Sequence, residues 1–183
     1  MVDIAPRVAR LSMPTLSGDD VTLRAFENRD FEAVMDASND PLIPRITTVP
    51  DVAERASAYA FIARQRERSA TGAGYSFAIE AGGEAVGQIG LWLRDLDQGR
   101  ATIGYWIRPS RRRQGHARDA LAALTEWALS TLQVPRVQLY IEPANVGSWR
   151  TAERVGYERE GLMRSWEVVG EERRDMFMYA ITT

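Results

Sequence analysis

Apolar and polar residues alternate along Val21-Thr22-Leu23-Arg24-Ala25-Phe26, the period-two pattern of a strand with one buried face. Phe31, Val34 and Met35 then recur at helical spacing over residues 30–37, so the chain opens strand, then helix. Asp40-Pro41 and Ile43-Pro44 break that helix. Pro50-Asp51-Val52-Ala53-Glu54 restarts one, with a cap residue followed three positions later by a carboxylate, and alanine-rich sequence carries it to about Ser69. Past Thr71-Gly72-Ala73-Gly74 the period becomes two. Residues 75–80, 85–93 and 101–108 read as three strands joined by turns at Gly82-Gly83 and at 95–99, an antiparallel meander.

Pro109-Ser110 ends the third of these strands, and residues 117–132 are strongly helical, with Leu121, Leu124, Ala128 and Leu129 on one face. A strand over 137–141 follows, then a break at Pro143-Ala144-Asn145. A short helix over about 146–155 ends at Gly156, a residue suited to a left-handed C-cap. Residues 157–169 and 173–181 complete the chain as two strands joined by a tight turn at Gly170. The strand–helix–strand unit over 101–141 implies parallel neighbours with a right-handed crossover, which makes the sheet mixed and the fold class α+β (α/β-like). No repeat, low-complexity stretch or linker divides the chain, so a single domain is expected over 21–183, with 1–20 as an N-terminal extension.

Composition removes several kinds of chemistry. The 183 residues suffice for one domain with a sizeable core. Without cysteine there is no cysteine nucleophile, thiolate zinc site or disulfide framework, and the single histidine, His116, cannot build a histidine metal cluster, so no metal is expected. All 23 basic residues are arginine, which excludes a catalytic lysine or Schiff base. A net charge of −2 supplies no basic field for nucleic acid, and no apolar run reaches the length of a membrane span. These features lead to the expectation of a cytoplasmic protein, monomer or homodimer, without nucleic-acid or membrane partners.

One loop carries legible chemistry. Between the strand end at Ile107 and the helix start at Ala117 lie Arg111, Arg112 and Arg113, then Gln114, Gly115 and His116. A helix N-terminus offers unpaired N–H groups and partial positive charge, glycine lets a phosphate approach the backbone closely, and arginines add charge-assisted hydrogen bonds. A solvated basic run with an ordinary loop glycine is the competing local reading; the position after a strand and at the start of the longest amphipathic helix favours a phosphate site.

These residues resemble a known family. Arg112-x-x-Gly115-x-Ala117 is similar to the Q/R-x-x-G-x-G/A pyrophosphate signature of the GNAT superfamily of N-acetyltransferases, and Ile103-Gly104-Tyr105-Trp106-Ile107 is similar to the strand before it. Asn145-x-x-Ser148, Glu153-Arg154-Val155-Gly156-Tyr157 and Glu160-Gly161 resemble the N-x-x-S, G-F/Y and E-G run of the branch of ribosomal-protein N-terminal acetyltransferases (RimJ/RimL-like). Leu23-Arg24-Ala25-Phe26, Asp30 and Arg174-Asp175 extend the likeness over about 21–181. Two positions depart from the pattern: arginine stands for glutamine at Arg112, and Tyr157 for the commoner phenylalanine.

The resemblance implies a GNAT fold, with a mixed, mostly antiparallel sheet of about seven strands, splayed between the fourth and fifth, and about four flanking helices. It implies acetyl-CoA as cosubstrate and an amine as acceptor. The pyrophosphate would sit on Arg112, Arg113, Gln114, Gly115, His116 and Ala117. The pantetheine arm would pair with the backbone of Trp106, Ile107 and Arg108 like an added strand. Asn145 would contact the cofactor, a backbone N–H near Tyr105 or Trp106 would face the developing oxyanion, and Ser148 would protonate the departing thiolate. Capping of the short helix by Asn145 or Ser148 is the purely structural alternative for those two residues.

The strand over 102–107 carries no carboxylate, so the general base falls to Glu142 or Glu80, each of which also reads as a strand-end surface carboxylate. Deprotonating an α-amine of pKa about 7.8 at pH 7 costs about 1 kcal/mol, against about 4.6 kcal/mol for a lysine amine. An α-amine, such as a protein N-terminus, or another amine of low pKa is therefore favoured as acceptor. Asp95, Asp97, Glu167, Glu171 and Glu172 in the late turns either attract a cationic acceptor or are simply solvated turn charges. Tyr59, Trp92, Tyr105, Trp106, Trp149 and Trp166 are candidates for an acceptor pocket or for the core. A small-molecule acetyltransferase (aminoglycoside, polyamine or amino-acid-like acceptor) and a non-catalytic acetyl-CoA sensor are the alternative functions.

Overall fold

The structure, a computed structural model, describes residues 13–183. Its strands are β1 (Leu16–Ser17), β2 (Thr22–Arg24), β3 (Gly74–Ala81), β4 (Glu84–Trp92), β5 (Arg100–Ile107), β6 (Arg136–Ile141), β7 (Glu158–Val169) and β8 (Glu172–Thr182). The helices are α1 (Phe31–Ser38), α2 (Ile43–Ile46), α3 (Arg55–Ala70), α4 (His116–Ser130) and α5 (Val146–Val155), with single 3-10 turns at Asn28–Asp30, Leu96–Gln98 and Pro109–Arg111. Positive φ angles of 61° and 83° at Gly82 and Gly83 turn β3 back along β4, the conformation that glycine adopts without strain.

The strands form one mixed sheet in the order β1-β2-β3-β4-β5-β6-β8-β7, antiparallel except between β5 and β6. Helix α4 makes the crossover, as the strand–helix–strand reading required. It packs Leu121, Leu124 and Ala128 against Ile89, Leu91, Ile103, Val137 and Leu139 in the larger core. On the other face, Phe61 and Ile62 of α3 and Val34 of α1 enclose Phe26, Ala78 and Trp106 in a second core. The described residues form the mixed, mostly antiparallel sheet expected, with eight strands and five helices among them in place of the seven and four expected. Setting the two-residue β1 aside, the splay falls between the fourth and fifth strands.

The differences have local causes. Leu16–Ser17, assigned from sequence to the extension, pair with Leu23 and Thr22 of β2; two residues carry no period to read. The segment read as a helix break holds α2, because Pro44 stands in its first turn, where a missing N–H costs no intrahelical bond. Asp40 Oδ1 accepts from the N–H groups of Leu42 and Ile43, both at 2.9 Å, and so organises that turn. Helix α3 starts at Arg55 with Glu54 as N-cap and no side-chain cap bond, so the capping pattern at Asp51 and Glu54 is not used. Residues 1–12 of the expected extension lie outside the described residues.

Candidate active site

The parallel pairing of β5 and β6 stops after Arg100–Arg136, Ala101–Val137 and Thr102–Gln138. From Ile103 and Leu139 onward the strands diverge, and one edge of β5 is left unpaired. Peptide groups alternate in direction along a strand. Arg108 N–H donates to Val86 O of β4 at 2.9 Å, and a Cβ built on Gly87 would come within 2.2 Å of Trp106 O, so these two residues turn their peptide groups toward β4. Tyr105 and Ile107 turn theirs to the cleft. Of the three peptide units expected to meet a pantetheine arm, only that of Ile107 faces the cleft; the Arg108 carbonyl is also taken, by Arg111 N–H at 3.0 Å.

Beyond β5 the chain makes a 3-10 turn and enters α4 through two left-handed residues, Arg113 (φ 62°) and Gly115 (φ 88°, the N-cap). Alternation of right- and left-handed residues turns successive N–H groups toward one point, an anion-binding nest. The N–H groups of Arg113, Gln114, Gly115, His116 and Ala117 make no hydrogen bond among the described residues. The buried Arg108 Nε and His116 Nδ1 are likewise unpartnered. Donors without acceptors at a helix N-terminus fit a pyrophosphate.

The arginines around this cradle are held by carboxylates distant in sequence. Glu84, at the start of β4, pairs with Arg108 and, at 2.8 Å, with Arg111, which together hold its carboxyl below the ordinary range. Arg112 binds Asp40 Oδ2 at 2.7 Å and Ile107 O at 3.1 Å. Burial alone would raise the Asp40 pKa; the Ile43 and Leu42 N–H groups and the Arg112 guanidinium outweigh it and bring it below its ordinary value. Arg113 makes no ion pair among the described residues. His116 Nε2 lies 3.2 Å from Gln114 Oε1, within the loop.

Across the cleft, α5 begins with Asn145, whose Oδ1 accepts from Ser148 N–H at 3.2 Å. Asn145 is therefore the helix cap, and Ser148 keeps its hydroxyl free of that duty. The hydroxyl lies 3.0 Å from that of Tyr105, which also reaches Ser148 O at 3.2 Å. Burial raises the Tyr105 pKa, against smaller opposing effects of its Ser148 and Thr151 hydrogen bonds, so the phenol stays protonated through neutral pH. Sequence reading names Tyr105 for its backbone N–H and as a pocket or core aromatic, not for its hydroxyl.

The two carboxylates considered as bases have different surroundings. Glu80 is fixed by Arg24 Nε at 2.6 Å and Arg29 at 3.1 Å, within a cluster that includes the buried Asp30, and is committed to structure. Glu142, at the end of β6, has only a 3.8 Å contact with Arg174, whose closer partner is Glu172 at 2.6 Å.

The aromatics divide. Trp106 is buried with Phe61 in the second core, and Tyr59 lies exposed at its margin, tilted against Phe31 at 5.5 Å. Trp149 packs beside the larger core. In β7, residues 164–166 bulge opposite Asp175, and the bulge places Trp166 5.6 Å from the Tyr140 ring. Trp92 folds over Gly90 and Gly104, on the α3 face.

Residues 20–158 match the acetyltransferase (GNAT) domain. The chain belongs to the GNAT acetyltransferase family. As a GNAT N-acetyltransferase it is an acyltransferase, and its acetyl donor is acetyl-CoA. An uncharacterised N-acetyltransferase of Bacillus licheniformis, p20, is 25% identical over 171 residues, covering 92% of this chain and 96% of the relative. Mycobacterium smegmatis RimJ, solved in complex with CoA-disulfide, superposes with a TM-score of 0.74 at 25% identity, over 93% of this chain and 87% of that one. RimL, a ribosomal L7/L12 α-N-protein acetyltransferase solved with coenzyme A, has the same fold, with a TM-score of 0.76 at 18% identity and coverage of 92% and 98%. Among the described residues no helix is long and apolar enough to cross a membrane, and no group of histidine, cysteine and acidic side chains could hold a metal.

Proposed function

We propose that this GNAT enzyme transfers acetyl directly from acetyl-CoA to a primary amine in a ternary complex, with a protein N-terminal α-amine as acceptor. The observation that supports it is the pairing of an unbonded N–H cradle at Gly115 with a Ser148 hydroxyl that its helix does not use. Acetyl-CoA supplies an activated thioester. The Arg113–Ala117 backbone and Arg113 hold the pyrophosphate, Ile107 pairs with the arm, and the Tyr105 N–H faces the carbonyl oxygen as it gains charge. Ser148 Oγ gives its proton to the departing sulfur and draws on the Tyr105 phenol behind it.

Glu142, directly or through water, receives the amine proton. An α-amine needs little help at neutral pH, which suits a site whose carboxylate lies beside an arginine. RimL, a ribosomal L7/L12 α-N-protein acetyltransferase of the same fold, is in keeping with such an acceptor. Thiol release should be followed with acetyl-CoA and matched peptides bearing free or blocked N-termini. Turnover confined to free α-amines supports the reading; exclusive lysine acetylation overturns the acceptor, and tight acetyl-CoA binding without turnover on a broad amine panel overturns the reaction in favour of a sensor.

A further inference from the structure

Over the face of β5 opposite α4, α3 holds an arginine that makes no ion pair among the described residues. Arg68, in the last turn of α3, lies 4.8 Å above the Trp92 ring, and that ring covers Gly90 and Gly104 so closely that a Cβ on either would approach it to 3.1 Å. Gly104 is the residue before Tyr105, on the unpaired stretch of β5. Arg68 thus stands one indole away from the cleft, on the α3 side of the sheet, opposite α4.

Its NH1 is buried and has no hydrogen-bond partner, and burial lowers its pKa. Desolvating a guanidinium without an acceptor is costly. Stacking on Trp92 and the dipole at the end of α3 explain a cation here, yet both leave that N–H unsatisfied. The neighbourhood repeats the imbalance: Arg94 and Arg100 act on the Tyr140 phenol across the same face, and neither they nor Arg68 make an ion pair among the described residues. Asp95 is the carboxylate set against them there. The charge at this rim runs opposite to that expected of a cationic acceptor.

We infer that the acceptor is a primary amine that also carries an oxyanion, a carboxylate or phosphate, and that Arg68, seated on Trp92, binds it. This rests on the acetyl-transfer reading; a peptide source narrows the acceptor proposed above, and a small-amine source replaces it. The oxyanion has two sources: a small amine with its own acid group, or a peptide terminus with an acidic residue beside the α-amine.

The test compares kcat/KM for matched acceptors: an amino acid against its amide, an amino alkyl phosphate against the corresponding amino alcohol, and an N-terminal peptide with Asp and Glu at its second and third positions against its Asn and Gln counterpart. In the wild type the charged member of at least one pair should be favoured ~10–100-fold, the range a charge-assisted hydrogen bond supports. Arg68→Met should reduce that preference to within ~3-fold while acetyl-CoA affinity holds, and Arg68→Lys should keep part of it. The favoured pair identifies the source. Equal or better turnover of the neutral members, or a preference that survives Arg68→Met, overturns the inference. Acetylation without charge preference sinks this inference alone, whereas no thiol release from any acceptor sinks the acetyltransferase reading with it. The wild-type comparison stands even where a variant folds poorly.

Discussion

The hydroxyls of Tyr105 and Ser148 lie 3.0 Å apart and join the unpaired stretch of β5 to the first turn of α5. A donor pair placed this way makes the two residues one unit in catalysis. Ser148→Ala should lower kcat ~10–100-fold at saturating acetyl-CoA, Tyr105→Phe should lower it less, and the double variant should be no slower than Ser148→Ala alone. Because burial raises the Tyr105 pKa, the wild-type pH profile should show no loss from this phenol at neutral or mildly alkaline pH. Steady-state thiol release measures all of these, and an unchanged kcat in Ser148→Ala removes the acid role.

Gly115 separates conformation from charge. A Cβ there meets nothing nearer than Asp119 Oδ2 at 4.0 Å, so Gly115→Ala should cost only the left-handed backbone penalty, about 1 kcal/mol of stability. Gly115→Asp adds a carboxylate to the phosphate cradle and should weaken acetyl-CoA binding ~100-fold, or ~2.7 kcal/mol. Calorimetric titration beside thermal melts distinguishes the two effects; intact affinity in Gly115→Asp means the loop does not bind the pyrophosphate.

The tyrosine at position 157 has a structural partner. Its hydroxyl lies 2.6 Å from Thr125 Oγ1 of α4, fully inside the protein, and burial pushes its pKa well up. Tyr157→Phe, which installs the residue commoner at this position, should therefore destabilise by ~1–3 kcal/mol, because the threonine hydroxyl loses its partner in the core. Adding Thr125→Val should recover much of that loss. Denaturant melts of the two single variants and the double variant test it; additive losses would show that the bond does not couple them.

Asp40 makes the phosphate-loop brace acid-sensitive. Its folded pKa lies below the ordinary 3.8, so its stabilising contribution is complete at neutral pH and is lost as pH falls through the folded value. Asn retains an oxygen for the Leu42 and Ile43 N–H groups but loses the charge opposite Arg112. Asp40→Asn should cost ~1 kcal/mol at pH 7, and its melting temperature should fall less steeply between pH 6 and 3 than that of the wild type. Parallel slopes would show that ionisation of Asp40 contributes nothing.

Short-range patterns made much of this protein legible. The meander followed from alternation and glycine turns, α4 from its apolar stripe, and α5 from its glycine stop; Gly156 has the left-handed φ of 100° that a C-cap uses. What the chain brings together from afar was not legible. Nothing near Arg112 points to Asp40, and nothing near Arg108 or Arg111 points to Glu84, since ion pairs across a fold leave no periodicity. The N-x-x-S spacing pointed to Asn145 and Ser148 but left cap and chemistry undivided; the geometry assigns the cap to Asn145. The Tyr105 phenol was invisible for the same reason as the ion pairs, because its partner belongs to a different element.

The three-residue seam between β5 and β6 leaves the middle of the sheet held on one side only, where Tyr105 and Ile107 turn their peptide groups to open space. An acetyl donor seated there, as proposed, would close the seam. At 100 times its dissociation constant it would add about 2.7 kcal/mol to the native state, and the amides of Tyr105 and Ile107 should pass from rapid to slow hydrogen exchange. The survival of this enzyme against proteases would then track the supply of its own fuel.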